Sequence, residues 1–343
     1  MITRFATPEE ATDWTDIISR NPDGGNILQG QEFIEQKAKA GWTARYMFVG
    51  DRAVAAIEKS IPFLGKVWYC PKGPSTTSVA DLHTLCDSLR TFAAQQGVFT
   101  IKIEPELDHL TDMSHLRLIP TAPIQYNYST VYVDLSPTMD DILAGLPQKG
   151  RHAIRRAERD GVTVKAVPAT DEHCQTMYDL FQETAHGAGF AIRPPEYYRS
   201  FYRAYESKQR GQLFFAYFEG KVVAGAFAMV QGTKSMYKDG ASIRQRTAYG
   251  ASHLLQWHVI KWAKEQGSVQ HDLAGVPPID QIKNPEHPFS GLARFKTSFN
   301  KEVVQYVGAF EIPVVNWKAK LWHKCIEKVV RKLHFMRFKE SYY

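Results

Sequence analysis

Alternation of apolar and polar residues on a two-residue period over Val162–Val167 predicts a strand, after which the period lengthens to that of a helix. Helical spacing covers Asp171–Gly187 and then Pro195–Gln209, the latter opening on a proline. Runs rich in β-branched and aromatic residues follow at Leu213–Tyr217, Val222–Val230 and Lys234–Lys238, predicting a meander of three strands. A long helical pattern over Tyr249–Gln266 and a strand at Val269–Leu273 complete the series. Ahead of it, Gln148–Arg159 reads as a basic helix.

The same order occurs earlier in the chain. Phe48-Val-Gly-Asp-Arg-Ala-Val-Ala-Ala-Ile57 has the chemistry of a hairpin, and Tyr217-Phe-Glu-Gly-Lys-Val-Val-Ala-Gly-Ala-Phe227 repeats it 169 positions later. Phe92-Ala-Ala-Gln-Gln-Gly97 ends a helical pattern on glycine and enters a strand; Trp262-Ala-Lys-Glu-Gln-Gly267 does so 170 positions on. Two matches at nearly one offset indicate a duplication. Helices ahead of a meander with one long helix near its middle give the order of an N-acyltransferase-like (GNAT-like) domain. The expected architecture is therefore α+β, with two tandem GNAT-like domains and mixed sheets flanked by helices. The division is expected at 1–136 and 137–309, with a linker near Leu135-Ser-Pro137. Residues 310–343 form a basic amphipathic helix expected to pack on the first domain, with Trp322, Ile326, Val329, Leu333 and Met336 on one stripe.

Composition narrows the setting. A chain of 343 residues exceeds the size at which one core keeps growing, consistent with two domains. Its formal charge of +6 permits an anionic partner without demanding one. Four scattered cysteines, with no CxxC pair, argue against a disulfide framework and for a reducing compartment. Acidic residues stand where a signal peptide would be apolar, and no run approaches a membrane span, so a cytoplasmic location is expected.

Several segments together resemble the Fem-type (FemABX) peptidyltransferases, which add peptidoglycan bridge residues from aminoacyl-tRNA. They are Asn26-Ile-Leu-Gln-Gly-Gln31, Tyr69-Cys-Pro-Lys-Gly-Pro74, Leu146-Pro-Gln-Lys-Gly-Arg-His-Ala-Ile-Arg-Arg-Ala157, Tyr237-Lys-Asp-Gly-Ala-Ser242 and Gly291-Leu-Ala-Arg-Phe-Lys-Thr-Ser-Phe-Asn300. The resemblance spans the chain in order, and the aromatic-Lys pair before Ser-Phe-Asn is its most specific element. It implies transfer of an amino acid from aminoacyl-tRNA to an amine of the precursor stem peptide, by a monomer with no cofactor beyond that co-substrate. The acceptor is either a UDP-linked muropeptide or lipid II. No charged heptad pattern interrupts Gly187–Leu213, so the helical arm of some members is absent, as in the compact ones that use a nucleotide-linked muropeptide. Asn300 stands where the family often has glycine.

Aminoacyl transfer passes through a tetrahedral oxyanion, so a positioned cation or hydrogen-bond donor is the main requirement. The resemblance assigns that role to Lys296, with Phe295 walling the site. Most of the chain's 42 basic residues solvate surface helices, and without the motif Lys296 would be read as one of them. Arg193 and Tyr197 stand four apart at a helix start, a spacing that places a cationic fork and a phenol on one face for a diphosphate. The resemblance adds Lys37 as a second phosphate cation, Tyr237 as a substrate contact and Glu104 as an acid that either holds a cationic group or merely ends a strand. Asp239 and Asp272 are general-base candidates by context only. His253 and His258 stand five apart on one helix, which does not suit a metal pair, and no metal site is expected. The alternative is acyl-CoA-dependent N-acyl transfer. Its pyrophosphate loop would fall on Arg244–Ala251, but Arg246 stands four rather than three residues before Gly250. The basic face of the tail leaves tRNA phosphates and the inner membrane surface open as partners.

Overall fold

In the computed structural model, which describes residues 1–188, 192–243, 248–338 and 342–343, both foreseen hairpins form. The described residues supply fourteen strands: β1 (Thr3–Phe5), β2 (Thr43–Val49), β3 (Arg52–Ile61), β4 (Gly65–Cys70), β5 (Val98–Ile103), β6 (Ile119–Thr121), β7 (Ser129–Asp134), β8 (Thr163–Val167), β9 (Gly211–Phe218), β10 (Lys221–Gln231), β11 (Lys234–Ser242), β12 (Gln270–Gly275), β13 (Val304–Gln305) and β14 (Ala309–Pro313). They form two seven-stranded sheets, ordered β1-β2-β3-β4-β5-β14-β6 and β13-β7-β12-β11-β10-β9-β8. Each sheet has an antiparallel meander and a parallel pair, β4 with β5 and β11 with β12.

The parallel strands are reached through the matched helices Val79–Gln95 and Ala251–Glu265. Each helix stops as foreseen at a glycine with positive φ, 72° at Gly97 and 86° at Gly267, a conformation an L side chain resists. In the first unit Trp68, Leu85, Leu89, Ile101 and Ile312 are buried together; in the second Val131, Phe214, Ala226, Trp257 and Ile260 are. The basic helix occupies Gln148–Arg159, and its apolar side chains Ala153, Ile154 and Ala157 are buried.

The compact units divide the chain differently from the linear reading. One comprises 1–128 with 305–343, the other 129–304, where the sequence suggested breaks after 136 and 309. The reason is an exchange of strands. β7 follows the first repeat but pairs antiparallel with β12 of the second sheet. β14 follows the second repeat and returns to pair with β5 of the first. Either strand would read the same in the other sheet, because a short buried run carries no mark of its partner.

The tail also departs from its expected stripe. The helix Asn316–Leu321 continues through one π-helical turn, Trp322–Ile326, into Glu327–Phe338. The extra residue of that turn rotates the remainder of the helix about its axis. Trp322 is buried with its ring 5.8 Å from Phe99, whereas Val329, Leu333 and Met336 face solvent.

Candidate active site

The second unit builds its site on β11, β12 and the two helices that come after them. A cavity of about 510 Å³ is bounded by Tyr237 and Gly240–Ile243 of the β11 segment, by the first turn of the helix Ala251–Glu265, and by Leu292, Arg294 and Phe295. That volume lies within the range of small-ligand pockets. Gly250 opens the helix in the left-handed region (φ 78°), and a Cβ there would lie 2.2 Å from the Ala153 carbonyl oxygen. Glycine is therefore required, by conformation and by space. It brings the helix start, with its outward-pointing N–H groups, to the cavity edge. Arg244–Thr247, including the Arg246 considered for pyrophosphate binding, lie outside the described residues.

Lys296 ends the short helix Ser290–Lys296 and is 4% exposed, not the solvated side chain that most lysines are. Its ammonium donates to the carbonyl of Gly275 at 2.8 Å. Lys296 does not itself line the cavity; its neighbour Phe295 does, 6.4 Å from the ring of Tyr237. Burial pulls the lysine down to about 8, and the charge of Asp272 works against that pull. At neutral pH the group is thus mostly a cation, poised to lose its proton just above.

The end of β12 explains how Gly275 comes to face this lysine. Pairing with β7 slips between Asp272 and Gly275, which leaves a bulge. Ala274 takes a positive φ of 61° there, and its N–H donates to the Asp272 carboxylate at 2.7 Å. The Thr130 hydroxyl of β7 lies in hydrogen-bond reach of the same carboxylate and of the Ala274 carbonyl. Asp272 thus clamps the bulge and sets the field around Lys296. With these donors upon it, the carboxylate suits that task better than the general-base role considered for it. Asp239 is likewise held, accepting from the Tyr202 hydroxyl and the Lys238 ammonium, both at 3.1 Å.

His271, next to Asp272, is fully buried between Ser235 and Gln256, at 2.8 Å from each. The Gln256 amide has N–H to give to Nε2, which assigns the ring proton to Nδ1. Burial pushes this imidazole down to about 3, so it stays neutral and serves the architecture of β12. The sequence reading weighs His253 only as half of a metal pair with His258, and sets it aside on their spacing of five. In the structure it lines the cavity, its ring stacked on Phe299 at 5.8 Å and edge-on to Phe295 at 5.0 Å. The available signal was its place as the third residue after Gly250, in the first turn of the helix.

Arg193 and Tyr197 meet, but not as two residues of one helix. The helix runs Pro195–Glu206, so Arg193 precedes it, and the guanidinium lies over the Tyr197 ring at 4.5 Å. The Arg193 backbone N–H donates to the Tyr198 hydroxyl at 3.3 Å. The remaining expected residues belong to the first unit. Lys37 is buried on the helix Gln31–Lys39, with its ammonium 5.5 Å from the centre of the Phe33 ring. Glu104, just beyond β5, is buried and accepts from the Tyr69 hydroxyl at 2.6 Å and from the backbone N–H groups of Ile124 and Gln125 at 2.7 and 2.9 Å. These bonds satisfy the buried carboxylate from the side chain of Tyr69 and the backbone after β6.

Two mixed sheets flanked by helices, each with a parallel pair entered from a long helix, place the chain in the α+β class. Within that class the chain belongs to the FemAB family, whose model matches residues 121–221 and 217–328. It is similar to the lipid II:glycine glycyltransferase of Staphylococcus aureus (strain MRSA252), 23% identical over 382 aligned positions that cover 86% of this chain and 89% of that protein. Among solved structures it is similar to FemX, with a TM-score of 0.79 and 18% identity over 94% of this chain and 99% of that one. L-PGS from Bacillus licheniformis is more distant, with a TM-score of 0.52 and 16% identity over 91% of this chain and 93% of that one. At these identities the likeness to solved structures speaks to the fold alone.

Proposed function

We propose that this chain, an aminoacyltransferase by family, moves an amino acid from aminoacyl-tRNA to an amine of a peptidoglycan precursor, forming a residue of the interpeptide bridge. The observation that carries the reading is a buried, mostly protonated Lys296 held on a bulge beside the Tyr237–Phe295 wall of the cavity. In the reaction a neutral acceptor amine attacks the ester carbonyl, the C–N bond forms, and the bond to the ribose oxygen breaks. The amine gives up a proton and the ribose oxygen gains one. The chain's part is to hold the two partners and to offer N–H to the oxyanion. An ammonium has three such donors, and Gly275 takes one of those of Lys296.

On this reading the cavity beside Phe295 receives the aminoacyl end of the tRNA, and the helix start after Gly250 faces its phosphate. Arg193 with Tyr197 holds the acceptor diphosphate, and Tyr237 contacts substrate. The acceptor is a UDP-linked muropeptide or lipid II, the latter being the substrate in the name of the staphylococcal relatives.

The test supplies purified protein with tRNA charged with a labelled amino acid, and separately with labelled acetyl-CoA, each with the two precursors. Transfer of the amino acid that RNase abolishes is the expected result. Acetyl transfer indifferent to RNase would overturn the proposal in favour of an acyl-CoA-dependent N-acyltransferase.

A further inference from the structure

The helix Glu327–Phe338 has two unlike sides. Inward, Glu327 meets the Lys102 ammonium at 3.0 Å, and the His334 ring lies 5.3 Å from that of Tyr342. Outward, Val329, Leu333 and Met336 are 56, 58 and 58% exposed. Their spacing of four and three residues puts them on one stripe. At 100° per residue, Lys332 and Arg337 fall on either side of that stripe, and both are exposed. The helix before it adds Trp317, 60% exposed, and the exposed Lys320.

Charge says what such a stripe would meet. Asn316–Phe338 contains seven Lys or Arg and a single acid, Glu327, which is turned inward to Lys102. That is +6 in 23 residues, equal to the formal charge of the whole chain, so the remaining residues balance to zero. A second copy docking through this stripe would bring two such segments together, and their repulsion opposes it. Nucleic acid phosphates would pair with the cations but give three exposed aliphatic side chains nothing to bury against. A bilayer interface with anionic headgroups takes both: phosphates meet the cations, and the acyl boundary receives the stripe.

We propose that Asn316–Phe338 is a membrane-docking surface that binds anionic phospholipid at the bilayer interface, apart from the transfer reaction itself. No helix among the described residues is long and apolar enough to cross a membrane, so this contact is peripheral.

The experiment is flotation of the whole chain with vesicles of phosphatidylcholine, with or without phosphatidylglycerol. Wild type is compared with Leu333→Glu/Met336→Glu and with Lys328→Glu/Lys332→Glu, all at exposed positions. Thermal melts matching wild type show that the variants fold. Wild type should float with the anionic vesicles only, more weakly as salt rises, and each double variant should lose roughly tenfold or more in partitioning. Failure of wild type to float, or equal flotation of the stripe variant, would overturn the proposal. So would a concentration-dependent dimer, or tRNA binding, that the stripe variant abolishes in the absence of vesicle binding.

Discussion

Each unit buries a lysine against its parallel strand pair, and the two are held in opposite ways. Lys102 on β5 has two carboxylates, Glu311 at 2.7 Å and Glu327 at 3.0 Å; His323 shares the Glu311 oxygen that Lys102 meets, and the Tyr343 hydroxyl donates to the other oxygen of Glu327. Lys296 in the second unit has one backbone carbonyl and the field of one carboxylate. The first is a closed ionic cluster that ties the tail to the sheet. The second retains donors of its own and a lowered affinity for its proton. A buried lysine signals chemistry when its neighbours do not neutralise it.

Substitution of each lysine should separate these roles. Lys102→Met leaves two acids buried without their cation and should cost about 3–5 kcal/mol. Urea unfolding measures that loss, and activity per folded molecule should be unchanged. Lys296→Met should behave in the reverse sense. Loss of one oxyanion donor costs about 2.7–4 kcal/mol of transition-state stabilisation, or about a hundred- to a thousandfold in kcat. Acceptor affinity, measured by calorimetry, should hold, and parallel loss of affinity would make Lys296 a binding residue. Stability should hold or rise, because a buried charge with an unfavourable shift has been removed.

The direction of the pH effect comes from the shift. Lys296 is lowered from 10.5 to about 8, so the unfolded chain binds the proton more tightly. Its destabilisation, about 3 kcal/mol, is therefore full below pH about 8 and fades as pH rises toward 10.5. Transfer that needs the ammonium should fall as pH rises through about 8. Asp272→Asn removes the charge that raises Lys296 and leaves an amide able to hold the Ala274 N–H. The falling limb of the kcat profile should move to lower pH, a smaller effect than either lysine substitution. An unmoved limb would show that Asp272 acts only on the bulge.

Much of the fold is legible in the sequence because it is local. The hairpins after Phe48 and Tyr217, the glycine stops at Gly97 and Gly267, and the helix Gln148–Arg159 depend on neighbours within a few residues. The burial of Lys296 is not legible, since a lysine at a helix end looks the same whether it faces water or a bulged carbonyl. The spacing misplaces Arg193 because it carries the helical period two residues past the helix start, through Pro194. The stripe of the tail fails for a similar reason: a period of 3.6 assumes no π turn, and one occurs at Trp322.

The crossing of β7 and β14 sets an order of events during synthesis. The first sheet lacks β14 until residues 309–313 have left the ribosome, after every strand of the second sheet has been made. The first-made half therefore waits as an open sheet with β5 unpaired along the edge that β14 will take, while the later half closes around β7. Domains elsewhere commonly finish in the order in which they are translated. Here the second unit can finish first, and the first is sealed last, by the segment that leads directly into the basic tail.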